Sequence, residues 1–209
     1  FYLLPTNCRT MILFSTQETS LVPPVHATLS EPETAANATV KWLEKAVIGL
    51  NLCPFAKAVH VKNLVRYAVS DAHDSESLLN DLIAELNHLQ QQEASNCDTT
   101  LLIHPYALTD FLDFNDFLFI AEHAIDQLNL TGEIQIASFH PDFQFDGTQA
   151  DDIENYTNRS PYPTLHLLRE SSIERAVAAF PDASEIYEKN IETLQQIGLE
   201  GWQSLFEST

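Results

Sequence analysis

From Val61 onward the chain alternates two periodicities, and this alternation constrains the fold more than any other feature. VKNLVRYAVS, TTLLIHP, EIQIASFHP and PTLHLLRE are short and apolar with β-branched residues, which predicts four strands. Between the first three, SESLLNDLIAELNHLQQQ and DFNDFLFIAEHAIDQLNL carry apolar residues at helical spacing. Asp74 or Ser75 opens the first of these helices, and Gly132 follows the end of the second. DDIENYTNR predicts a short helix before the fourth strand. SSIERAVAAF and DASEIYEKNIETLQQIG predict two closing helices, the last entered at Asp182 or Ser184 and stopped by Gly198. A further helix, TVKWLEKAVIGLN, precedes the first strand, with Val40, Leu43, Val47 and Leu50 on one face and Thr39 as its N-cap. Strands separated by helices of this length imply βαβ crossovers. The expected fold is α/β (or α+β): one domain over residues 39–209, with about four strands in a mainly parallel or mixed sheet packed with helices. Residues 1–38 are expected to form a disordered or extended leader, because Ser, Thr, Pro and Glu mix there with little period.

Composition removes several classes of function. Five glycines in 209 residues leave no Gly-rich phosphate loop of either common type. With 30 acidic and 10 basic side chains the formal charge is −20, which repels nucleic acid and anionic lipid at long range. No apolar run approaches the ~20 residues needed to span a bilayer, and the start lacks the basic-then-apolar pattern of a signal peptide. Met11 is a candidate natural start. Cys8, Cys53 and Cys97 are too few for a secreted disulfide framework. A cytoplasmic protein, with neither nucleic acid nor membrane as partner, is the expectation.

The chemistry-bearing residues fall in three places. In NLCPFAKAV, Pro54 favours a helix start, so Cys53 is the expected N-cap. Free N–H groups, the helix dipole and Lys57 would all favour its thiolate. The string CPFA resembles the site of monothiol glutaredoxins and omega-class glutathione transferases. Here, though, a helix rather than a strand leads in and Ala56 stands where a second cysteine would, so a thioredoxin fold is not expected. His104 and His140 each precede proline at a strand end; parallel strands would bring both to the carboxyl edge, where open α/β sheets bind ligands. His140 with Asp142 suits an oriented general base or a pair of metal ligands. No Lys or Arg occurs from Tyr67 to Asn158. Arg159 then appears in NRSPYP, stiffened by Pro161 and Pro163, where Asn158, Arg159 and Tyr162 could clamp a carboxylate or phosphate.

Three functional readings follow. A Cys-dependent enzyme would use Cys53, His140 and Asp142 on a small anionic molecule held by Asn158, Arg159, Lys57 and Tyr162. A metal or haem protein would bind zinc, iron or haem through Cys53, His140, His104 and His166. A non-catalytic small-molecule binding or scaffold protein would use the same motifs as folding devices.

Taken together, LNLCPFA, LLIHP, IASFHPDF and NRSPYPTLHLLRE resemble a bacterial domain-of-unknown-function family, numbered fourteen-fifteen, over Thr39 to Gly198. The resemblance implies neither an activity nor a cofactor, and the N-terminus runs longer than the family's usual length.

Overall fold

The computed structural model describes residues 31–178 and 185–207. The expectations for residues 1–30, with Cys8 and Met11, and for a helix entry at Asp182 or Ser184 lie outside the described residues. Four strands, β1 (Val65–Val69), β2 (Thr99–Ile103), β3 (Ile134–Phe139) and β4 (Thr164–Arg169), form one sheet in the order β1-β2-β4-β3. β1 and β2 are parallel, and β4 runs antiparallel to both β2 and β3. β1, β2 and β3 therefore share one direction and the sheet is mixed. The helices are α1 (Glu31–Trp42), α2 (Ala56–Val61), α3 (Ser75–Gln91), α4 (Phe111–Gln127), α5 (Glu170–Ala178) and α6 (Ile186–Ser204). None of them is long and apolar enough to cross a membrane.

Alternation along the strands divides the core. Ala68, Leu102, Ile134, Leu165 and Leu167 face α3 and α4, whose apolar stripes include Leu78, Leu82, Leu86, Phe114 and Phe117. Each fully buried side chain of this kind contributes about 1.5–3 kcal/mol. Asp74 caps α3, accepting from the Ser77 N–H at 2.8 Å, and Asp110 caps α4 in the same way. On the other face, Val65, Leu101 and Phe139 meet Trp42, Leu43, Val47, Leu194 and Trp202.

Three boundaries differ from the sequence-based expectation. α1 already covers Glu31–Trp42 among the described residues, and Thr39 lies inside it, donating its hydroxyl to the Ala35 carbonyl at 2.9 Å instead of capping. Glu31 and Glu33 in the first turn suit the positive end of the helix dipole. Val61 ends α2 and is exposed; Asn63 takes a left-handed turn (φ 56°) before β1 starts at Val65. Gly198 (φ 61°) breaks the helical path of α6 as expected, but a further helical stretch reaches Ser204.

Candidate functional site

α1 passes without interruption into a six-residue π-helix, Leu43–Ile48. The wider turn is then closed by Gly49 N–H on the Glu44 carbonyl and Leu52 N–H on the Val47 carbonyl, at 3.0 and 2.9 Å. Asn51 in the left-handed region (φ 57°) turns the chain back, and Asn190 of α6 holds the Leu52 carbonyl at 2.9 Å. This folds Cys53 under the sheet. It borders a cavity of about 630 Å³ on the face opposite α3 and α4. The floor is Val65, Leu101, Ala137, Phe139, His166 and Leu168; Trp42, Val47, Phe55, Val59 and Ile173 wall it, and exposed Ala58 lies on its rim.

Cys53 precedes α2 by a short turn, Ala56 N–H donating to its carbonyl at 3.2 Å, while Phe55 occupies the cap position. Burial pushes its thiol up, and hydrogen bonds from the Phe55 and Ala56 backbone only partly offset that. The expectation of a lowered, thiolate-prone Cys53 is therefore reversed: desolvation outweighs the N–H groups. Lys57 is exposed on α2 and is not part of the cavity lining.

His166 is the other reactive group on the lining. Its Nε2 lies 2.8 Å from the Thr99 hydroxyl, and that hydroxyl donates its single proton to the Leu167 carbonyl at 2.5 Å. Nε2 must therefore carry the ring proton. Burial lowers the His166 pKa to about 4, so the ring is neutral at pH 7 and Nδ1 holds a lone pair. Among the described residues no hydrogen-bond partner stands at Nδ1, and the half-buried ring borders the cavity.

The carboxyl edge holds a separate group. His104 and His140 do emerge together there, as their parallel strands require, bracketed by the NRSPYP loop: His104 N–H donates to the Pro163 carbonyl and His140 N–H to the Asn158 carbonyl. Both are buried and neither lines the Cys53 cavity. His140 Nε2 donates to the Leu108 carbonyl at 3.2 Å, and Nδ1 accepts from the Asp142 backbone N–H at 3.0 Å. The hydrogen bond from Asp142 is thus through its backbone, while its carboxylate acts on the ring by charge alone; burial outweighs this and lowers the His140 pKa, and the ring packs on Phe111 and Phe114. His104 donates from Nδ1 to the Ala107 carbonyl at 2.9 Å and is held down to about 4 by burial.

Arg159 also sits at this edge. Its Nε and Nη2 donate to the Phe143 and Ala150 carbonyls at 3.2 and 2.6 Å, and it lies 4.4 Å over the Tyr156 ring. The guanidinium staples the SFHPDFQFDG loop. Asn158 braces the end of β3 through the Ser138 carbonyl, and the Tyr162 carbonyl accepts from Ser160 and Thr164. The expected metal set is not assembled: Cys53 and His166 line the cavity, His104 and His140 lie off it, and among the described residues no three His, Cys, Asp or Glu side chains converge on a metal position.

Thr99 and Asn190 escaped the reading of the sequence. Asn190, Leu194 and Ile197 share one helix face, a signal that Asn190 points inward. Thr99 acts through the register of β2 against β4, which no local pattern encodes.

The family model described as "Protein of unknown function (DUF1415)" matches residues 34–204, and the chain belongs to that family. No curated protein and no solved structure matches it.

Proposed function

We propose that this family member binds an apolar small molecule in the cavity between the sheet and α1, α2 and α5, with Cys53 and His166 against the ligand. One observation carries the reading: a cavity of about 630 Å³ lined almost wholly by aliphatic and aromatic side chains, interrupted by a few convergent polar groups. Small-molecule sites fall at about 300–1,000 Å³ and have this mixture of surfaces. The charged residues on the lining are one carboxylate, Asp98, and one guanidinium, Arg169, which supports a neutral ligand over the small anion that Arg159 and Lys57 suggested.

The test is binding of Nile red, an uncharged dye that brightens in apolar surroundings. Its fluorescence should rise with the native protein and saturate. Ala137→Trp, which fills the floor, should abolish the rise, and bound dye should slow alkylation of Cys53 by N-ethylmaleimide. No saturable rise, or a rise indifferent to Ala137→Trp, would overturn the reading.

A further inference from the structure

A ligand in this cavity meets one acceptor it must either satisfy or leave stranded. The Thr99 hydroxyl is committed to the Leu167 carbonyl and so takes the Nε2 proton of His166, leaving on the cavity lining an Nδ1 lone pair with no partner among the described residues. Neighbouring polar groups on the lining are engaged inside the protein. Asp98 accepts from Ser172 at 2.5 Å, and Arg169 directs Nε and Nη2 onto the carbonyls of Leu89, Gln92 and Cys97. The Cys53 sulfur takes the Phe55 and Ala56 N–H groups. His166 stands in mid-strand on the floor, and its neighbours across both strand pairs, Leu101 and Ala137, are hydrocarbon.

We infer that the ligand is a neutral apolar molecule bearing a hydroxyl group, and that His166 Nδ1 accepts the hydroxyl proton. The inference rests on the cavity reading above and adds its selectivity. A site with a buried acceptor discriminates against an analogue that cannot donate, because that analogue strips water from the nitrogen and returns nothing. The carboxylate and guanidinium at one end of the lining balance each other, so an ionised head group has no net attraction to offset its loss of hydration.

The experiment uses the full chain with Nile red as the displaced reporter and two competitors of matched length, dodecanol and its methyl ether. Dodecanol is expected to bind roughly five- to tenfold more tightly, the value of one hydrogen bond to a buried acceptor. His166→Phe should bring the ratio of the two affinities to about one, chiefly by relieving the ether of the acceptor it leaves stranded. The ¹⁵N spectrum of histidine-labelled native protein gives a readout independent of any variant: dodecanol, but not the ether, should move the Nδ1 resonance of His166. Equal displacement by both competitors, with His166 Nδ1 unmoved, would overturn the selectivity and leave the apolar cavity standing. Failure of Nile red and both competitors to bind would overturn the cavity reading and this inference with it.

Discussion

His104 and His166 are neutral for the same reason, burial, and both have pKa values near 4. An unfolded histidine titrates near 6.5. Between about pH 6.5 and 4 the unfolded chain therefore binds protons that the folded chain does not, and stability falls as the pH drops through that window. Above it the full contribution is present. For fully buried His104 the loss is on the order of 3 kcal/mol. Urea midpoints should fall steeply from pH 7 to 4.5, and His166→Gln, which can still donate to Thr99, should reduce that fall by roughly 2 kcal/mol. An unchanged slope in the variant would mean that His166 titrates freely. At this scale the sequence marked Cys53 and His166 as chemical groups but not their states. The tautomer of His166 is set by Thr99, 67 residues away, and the protonation of Cys53 by burial that four local letters do not show.

At the scale of elements, strands and amphipathic helices were legible because their periods of 2 and 3.6 are written in consecutive residues. SESLLNDLIAELNHLQQ and TTLLI fall where the patterns put them. The π-helix is different: LEKAVI reads as ordinary helix, and the wide turn shows only in the bonds that Gly49 and Leu52 send back to Glu44 and Val47. π-turns recur at functional sites because they reposition the residues that follow. Gly49 is the residue that permits this one, since a methyl group there would collide with the Lys45 carbonyl oxygen. Gly49→Ala should cost about 1–3 kcal/mol in urea unfolding, as overpacking does, and should also weaken Nile red binding by displacing Cys53. Preserved stability together with preserved binding would show that the wide turn is not needed to shape the cavity.

At the scale of the molecule, the two faces of the sheet are built unequally. α3 and α4 close one face with Leu78, Leu82, Leu86, Leu89, Phe114 and Phe117, all essentially without exposure. The other face is closed by α1 and α6 at one side, while α2 and α5, which frame the cavity, bury no residue completely. Few buried apolar contacts mean cheap local opening. Amide exchange should therefore be slowest in β2, β4, α3 and α4, and faster in α2 and α5 by local opening that leaves the sheet intact. A ligand in the cavity binds the closed form only, so saturating dodecanol should slow exchange in α2 and α5 and change α3 and α4 little. Exchange in α2 and α5 as slow as in α3 without ligand would mean that both faces open only on global unfolding, and entry of a ligand would then need another route. The unequal faces also explain why the carboxyl edge was a natural but different expectation. Parallel strands direct attention to their carboxyl ends, yet here His104, His140 and Arg159 spend their hydrogen bonds on backbone and lock the loops there. The cavity lies instead on the face that α2 and α5 cover thinly.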